Sequence, residues 1–212
     1  MHRRYKIDCT WTPELAYVVG VFASDGNLSP DGRHLNVTSK DKEMAETVRT
    51  ILRINNKIGR KARGGSKEKR YFSLQFGDIN FYEFLLDIGL TPAKSKTLGP
   101  LAVPDEYFAD FFRGCIDGDG SIDSFTHPES KLPQFRIRLC SASPRFTDWA
   151  LSRARILFDI SGGWIYRHER SGICMLSFAK KDALKIIKSM YYADTVPALE
   201  RKRAVALTFL GE

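Results

Sequence analysis

The stretch "FFRGCIDGDGSID", residues 111–123, ends an apolar run in a crowd of three aspartates and three glycines. A second stretch, "ELAYVVGVFASDGNLS" at residues 14–29, does the same upstream, with an apolar run closing in a small residue, Asp and Gly. The two Asp-Gly pairs, Asp25-Gly26 and Asp119-Gly120, are offset by 94 positions in a chain of 212 residues. One Asp-Gly after a helix reads as an ordinary turn. Two at half-chain spacing read as an internal repeat.

The segments that follow each pair run in the same order. After the first come an alternating "HLNVTS", a helix-like "KDKEMAETVRTIL", a basic "KIGRKARGGSKEKR", an alternating "YFSLQFG" and a helix-like "NFYEFLLDIGL". After the second come "QFRIRLCSA", "RFTDWALSRARILF", "GWIYRHERSG", "ICMLSFA" and "DALKIIKSMYY". In "QFRIRLC", Gln134, Arg136 and Arg138 fall on one strand face and Phe135, Ile137 and Leu139 on the other; Tyr71, Ser73 and Gln75 oppose Phe72, Leu74 and Phe76 in the same way. Strands with one apolar and one polar, basic face make antiparallel sheets packed on helices beneath and open above. Each half, residues 1–99 and 100–212, reads as helix, two strands, helix, two strands, helix. Residues 91–107 join them into one pseudosymmetric α+β molecule.

Thr12 is placed to cap the first motif helix, with Pro13 at its first position and Glu14 near the positive end of its dipole; Pro104, Asp105 and Glu106 open the second. Gly26 and Gly120 read as helix stops. Gly20 and Ser24 are four apart, as are Gly114 and Gly118, so each helix carries a stripe of small residues that lets two backbones approach closely. If the stripes pack on each other, Asp25 and Asp119 emerge side by side. Two like charges held that close repel unless a divalent cation lies between them, which predicts Mg²⁺ bound by oxygen ligands and metal-assisted phosphodiester hydrolysis. A calcium loop starting at Asp117 fails, because its sixth and twelfth positions are Ile122 and Pro128.

Composition agrees with a polyanionic partner. Lys and Arg outnumber Asp and Glu by 33 to 25, for a net charge of +8 and a pI near 9.3. The hydrophobic content of 43% suits a folded core rather than disorder. Cys9, Cys115, Cys140 and Cys174 are too scattered for a zinc or redox motif and read as reduced, mostly buried thiols. No stretch approaches a membrane span and "MHRRYKIDCTW" lacks a secretory apolar core, so the expectation is an intracellular monomer of unassigned compartment.

The two copies, "VVGVFASDG" at residues 18–26 and "FRGCIDGDG" at 112–120, resemble the LAGLIDADG homing endonucleases in their single-chain, two-motif form. The resemblance implies an αββαββα order in each half, motif helices at the central interface and two sheets forming a DNA-binding saddle. It implies a site-specific endonuclease that cuts both strands of a long, asymmetric duplex with divalent metal and leaves short 3′ overhangs. Asp25 and Asp119 correspond to the metal-binding acids, with Ser24 and Gly118 beside them in the metal site; Mg²⁺ is the expected ion, Mn²⁺ a substitute and Ca²⁺ a support for binding without cleavage. The other motif acid is Asp117 in the second copy but Ala23 in the first, a departure expected to touch packing or capping rather than catalysis.

"VTSKD" resembles the family segment that brings polar groups to the metals, with Ser39 and Lys40 as candidates; the matching second-half "LCSASP" has Ala142 opposite Lys40, so the half-sites are chemically unequal. Lys94, Lys96 and Lys202 look like the basic residues brought near the scissile phosphates, though solvated lysines would read the same.

The open strand faces supply ribbons that a major groove admits. The residues assigned to them are Asn27, Ser29, Arg33, His34, Asn36, Arg60, Arg63, Arg70, Ser73 and Gln75 in the first half, with Ser39 at their margin. The second half contributes Ser121, Asp123, Gln134, Arg136, Arg138, Tyr166, His168, Arg170 and Ser177. A one-residue slip in register would exchange reading residues for core ones. The competing readings are an RNA splicing maturase or a DNA-binding regulator on the same scaffold. An intein endonuclease fits less well, since no splicing Cys or His-Asn pair flanks the chain.

Overall fold

A computed structural model describes residues 7–62, 67–126 and 133–210. The first half runs α1 (Pro13–Ser24), β1 (Gly26–Leu28), β2 (His34–Ser39), α2 (Lys42–Ile51), β3 (Ile58–Lys61), β4 (Tyr71–Gly77), α3 (Ile79–Asp87). The second runs α4 (Phe108–Asp119), β5 (Gly120–Thr126), β6 (Pro133–Ser141), α5 (Pro144–Leu157), β7 (Trp164–Arg167), β8 (Cys174–Ala179), α6 (Lys180–Met190). A further helix, α7 (Glu200–Thr208), follows, which the pattern of the sequence alone does not separate. The strands form two antiparallel four-stranded sheets with the same order, β1-β2-β4-β3 and β5-β6-β8-β7. This is the predicted α+β architecture in each half, with α7 added.

The register shows the repeat at the level of single residues. Gly26 pairs with Val37 and Gly120 with Leu139, so Asn36 and His34 occupy the positions of Arg138 and Arg136. Leu35, Val37, Leu74 and Phe76 are buried on one sheet, and Phe135, Ile137, Leu139, Leu176 and Phe178 on the other, each against the helices behind it. The opposite faces stay open.

Helices α1 and α4 make the centre. From Leu15 to Ala23 every residue of α1 is buried, as is every residue of α4 from Asp110 to Asp117. A methyl group at Gly20 would collide with the Phe111 carbonyl oxygen and lie 2.9 Å from Cys115 N; one at Gly114 would collide with the Tyr17 carbonyl oxygen and lie 3.0 Å from Val21 N. One turn on, a methyl at Gly118 would occupy the place of the Ser24 hydroxyl. The two backbones therefore touch at reciprocal positions, and only glycine permits it.

Thr12 caps α1 as expected, its hydroxyl accepting from Leu15 N at 3.1 Å. Two local readings are corrected. Pro104 leads into a short 3₁₀ turn, Asp105–Tyr107, and α4 itself starts at Phe108 with no side-chain cap. Gly26 and Gly120 are not left-handed helix caps, since neither has a positive φ. They open β1 and β5, where a side chain would run into Phe22 or into the Arg138 carbonyl. The requirement is space, not backbone conformation. Of the thiols, Cys115 and Cys174 are buried and Cys140 is exposed.

Candidate active site and nucleic-acid interface

Helices α1 and α4 both end at an aspartate, at the same end of the packed pair. Asp25 and Asp119 line one open cleft of about 690 Å³, together with Ser24, Asn27, Asn36, Gln75, Lys61 and Lys94. A smaller neighbouring cleft of about 370 Å³ takes Asp119, Lys94, Cys140, Ser141 and Ala142. The carboxylates are thus brought together between the sheets, as the stripes of small residues required.

Lys94 lies beneath them. It is 6% exposed, and its ammonium donates to the Gly26 carbonyl at 2.6 Å. Burial pulls its pKa down, while Asp119 and then Asp25 pull it back up, so the lysine feels both carboxylates. Lys202 is its counterpart in the second half. It is 5% exposed and donates to the carbonyls of Ile116, Asp117 and Gly120 at 2.5, 2.8 and 2.8 Å. All three ammonium protons are engaged at the end of α4, and burial lowers its pKa to about 8. Lys202 is therefore a clamp on the helix end that carries Asp119. Lys96 stands exposed on the 3₁₀ turn Lys94–Lys96. Lys40 is exposed beyond β2, 5.8 Å from the centre of the Tyr71 ring.

Asp117 departs from Asp119 in environment. It is 1% exposed; one carboxylate oxygen accepts from Tyr17 Oη at 2.9 Å and Leu199 N at 2.8 Å, and the other has no partner among the described residues. Burial raises its pKa to about 6. It joins α1, α4 and the start of α7, a packing and capping role.

The open face of the first sheet carries Asn27, Asn36 and Gln75 in direct register, with Thr38 beside Ser73 and Lys61 beside Tyr71. Asn36 donates to Ser73 Oγ at 2.8 Å and accepts from Thr38 Oγ1 at 2.6 Å and Lys61 Nζ at 3.3 Å. His34 is held by Asp31 at 2.5 Å, and Ser29 lines the cleft; Arg33 and Arg70 are exposed, with Arg70 bridged to Glu68. Arg63 lies outside the described residues.

Two assignments are corrected by register and a third by burial. Arg60 pairs with Phe72, which pairs with Ser39, so Arg60 and Ser39 share the helix-facing side of the sheet. The Arg60 guanidinium rests 4.5 Å over the Phe72 ring. Ser39 is 6% exposed and accepts from Asp41 N at 3.2 Å, as Ser141 does from Ser143 N at 3.1 Å, so both serines organise the entry into the following helix. Ser177 lies on the reading side, opposite Arg138 and Trp164, but is only 1% exposed. Its larger neighbours cover it.

The second open face carries Ser121, Asp123, Gln134, Arg136, Arg138 and Tyr166. His168 and Arg170 are exposed past the end of β7. Sequence reasoning misses Asp31, Thr38 and Trp164; the last is 49% exposed, and its alternation with Tyr166 in "GWIYRHERSG" is the available signal.

The helix-to-strand motif of the first half and the paired sheets are matched by comparison. The family of LAGLIDADG-like domains matches residues 12–89. This segment is similar to LAGLIDADG-like domains. Its match ends before the second motif, and among curated proteins no sequence matches the chain. Solved structures supply the fold of both halves. The homing endonuclease I-DmoI in complex with DNA and Ca is similar with a TM-score of 0.61 at 14% identity, over 94% of this chain and 98% of that one. The meganuclease I-SmaMI bound to uncleavable DNA gives 0.58 at 13%, over 96% and 89%. Full-length DUF199/WhiA from Thermatoga maritima gives 0.60 at 13% over 98% of this chain, which spans 64% of that protein. The LAGLIDADG-like half and its repeat thus share the two-motif fold of single-chain homing endonucleases. None of the described helices is long and apolar enough to cross a membrane.

Proposed function

We propose that the chain is a divalent-metal-dependent DNA endonuclease that cuts both strands of a long, asymmetric duplex site and leaves short 3′ overhangs. The observation that carries this reading is the convergence of Asp25 and Asp119 in one cleft, at the ends of two helices packed through Gly20 and Gly114, between two open sheets.

The donor set suits Mg²⁺. No group of three His, Cys, Asp or Glu side chains gathers among the described residues. Mg²⁺ prefers one or two carboxylates, waters and substrate phosphates over an all-protein cage, and Asp25 with Asp119 is such a set. When bound, the ion would polarise a phosphate oxygen and favour a water nucleophile. The chain's own groups do the rest. The Asp25 and Asp119 carboxylates hold negative charge at the helix junction, where Lys94 limits their mutual repulsion from below. The sheets orient the duplex so that its backbone enters the cleft. Lys40 has no counterpart at Ala142, and Lys202 is engaged by carbonyls, so the two strands meet unequal surroundings.

The experiment is cleavage of a randomised library of long duplexes in Mg²⁺, with the ends sequenced and an Asp25→Asn/Asp119→Asn double variant run alongside. A recurrent site with staggered ends that the variant does not cut is the expected result. Recurrent binding without cutting by the unaltered chain would replace the endonuclease with a binding protein on the same scaffold.

A further inference from the structure

On the reading face of the second sheet, one carboxylate is shared by two guanidiniums. Asp123 on β5 pairs directly with Arg136 on β6, and Arg138 is the diagonal neighbour within reach of its side chain. Asp123 Oδ2 accepts from Arg136 Nη2 at 2.9 Å and Nε at 3.3 Å, and from Arg138 Nη2 at 2.8 Å; Oδ1 accepts from Arg138 Nη2 at 3.1 Å. Ser121 Oγ takes Arg138 Nε at 3.2 Å, and the Phe125 ring lies 4.7 Å beneath Arg136. Each arginine is thus gripped along its Nε–Nη2 edge. The guanidinium has five N–H donors, so the far Nη1–Nη2 edge of each is left as a two-donor fork.

The three side chains are partly exposed, at 27–31%, so the forks are accessible from the open face. Residues two apart on a strand are ~7 Å apart. Convergence on one carboxylate draws their tips closer than that, to a span of one or two base-pair steps. Guanine presents N7 and O6 in the major groove as the matching pair of acceptors. A phosphate offers no sequence information and is best met by a free, mobile cation. A cation already bound to a carboxylate has less to gain from it.

Resting on the proposal that this face meets duplex DNA, we infer that Asp123 is a specificity-determining residue. It holds Arg136 and Arg138 as a rigid pair that reads two guanines one or two base steps apart in the second half-site, and it suppresses binding to unrelated sequence. Asp123 itself touches the arginines and not the reacting phosphate. It is a positioning residue.

The test is binding selection from a randomised duplex library, using the full chain with Asp25→Asn/Asp119→Asn as a common non-cutting background. Asp123→Asn and Asp123→Glu are compared with that background, and circular dichroism confirms that each is folded. The background protein is expected to select a site with two closely spaced guanines on one side. Asp123→Asn should reduce the preference for guanine at those two positions by about 10-fold each, the worth of a good bidentate contact. It should leave the rest of the site unchanged, and bind unrelated duplex more tightly with a steeper dependence on salt. Asp123→Glu should restore part of the preference.

A selected site whose guanine preference is the same in Asp123→Asn would overturn the inference while leaving duplex recognition intact. A second half-site without guanines would also overturn it, and would make the arginines phosphate contacts. Selection of no site by the background protein would overturn duplex recognition itself.

Discussion

Alanine at Gly114 or Gly20 should weaken the molecule, although alanine is the better helix former. Taken alone, helix propensity predicts a gain of roughly 0.5–1 kcal/mol for either change. The structure predicts the opposite sign. The new methyl at position 114 would strike the Tyr17 carbonyl oxygen and sit 3.0 Å from both Tyr17 C and Val21 N, all of them backbone atoms that cannot rotate away. The helices must therefore separate. Overpacking of this kind costs about 1–3 kcal/mol, and a radial gap of 0.5–1 Å forfeits a quarter to a half of each dispersion contact that it opens. After the propensity gain, a net loss of about 1–2 kcal/mol remains, or roughly 2–8 °C in Tm for a chain of this length.

Because Gly20 and Gly114 are relieved by one and the same displacement, the double variant should lose little more than the worse single one, a strongly sub-additive cycle. Thermal unfolding followed by circular dichroism reads both quantities. Gly59→Ala in β3, where the nearest foreign atom is Ser73 O at 3.9 Å, serves as the uncrowded control. A rise in Tm for Gly114→Ala, or losses that simply add, would refute backbone contact between α1 and α4.

Replacing Lys94 by Met leaves the Gly26 carbonyl without its donor and the two carboxylates without their buried cation. Stability should fall by about 1–3 kcal/mol, and added Mg²⁺ should raise the Tm of the variant more than that of the parent; equal shifts would show that Lys94 does not offset those charges. Asp117, with its pKa raised to about 6, keeps its proton in the folded state to higher pH than in the unfolded chain. Stability should therefore fall by up to about 3 kcal/mol as pH rises from 4 through 6, since each tenfold difference in proton affinity between the folded and unfolded chain is worth about 1.4 kcal/mol. Urea midpoints at pH 4 and pH 7 should converge or cross for Asp117→Asn against the parent; parallel behaviour would remove the buried ionisation. Ala142 stands where the first half has Lys40 and lines the cleft beside Asp119, so one strand should be cut roughly 10-fold or more faster than the other, within the range that one positioned donor supplies. A plasmid time course should pass through a nicked form that Ala142→Lys shortens, and one-step conversion by the parent chain would refute unequal half-sites.

What can be read from the sequence follows the strength of its constraints. The repeat, the helix stripes and the meeting of Asp25 with Asp119 are legible because close backbone packing admits only small residues, at a spacing fixed by the helix turn. The alternation of "QFRIRLC" and "YFSLQFG" is legible because one face of each strand is mostly buried, Phe72 alone being partly exposed among the apolar residues of those faces. "KIGRK" has no such anchor. Its Ile58 is half-buried and Gly59 silent, so the pattern puts Arg60 on the reading face in place of Lys61, one residue out of register. The clamp made by Lys202 is hidden from the sequence for a different reason. Its partners are carbonyls at the end of a helix far away in sequence, and a backbone oxygen leaves no trace in residue identity. Ser177 has the predicted side of its strand, but the bulk of Arg138 and Trp164 across the ladder decides whether it is seen.

The two halves show which constraints a repeat keeps and which it releases. Gly20 and Gly114 are each required by the other, so neither can change alone; likewise Ser39 and Ser141 serve the same turn. The reading faces carry no reciprocal contact and have separated. Asn27, Asn36 and Gln75 align amides on the first sheet, while the equivalents of the first two are Ser121 and Arg138, and Trp164 and Tyr166 add exposed aromatic surface on the second. Even so, both sheets restrain the base at the same register position with a carboxylate, His34 by Asp31 and Arg136 by Asp123. Amides suit adenine and restrained arginines suit guanine. If these faces meet duplex DNA as proposed, two so different would prefer different half-sites. A chain whose centre is held symmetric by glycine contacts is thus free to recognise an asymmetric duplex.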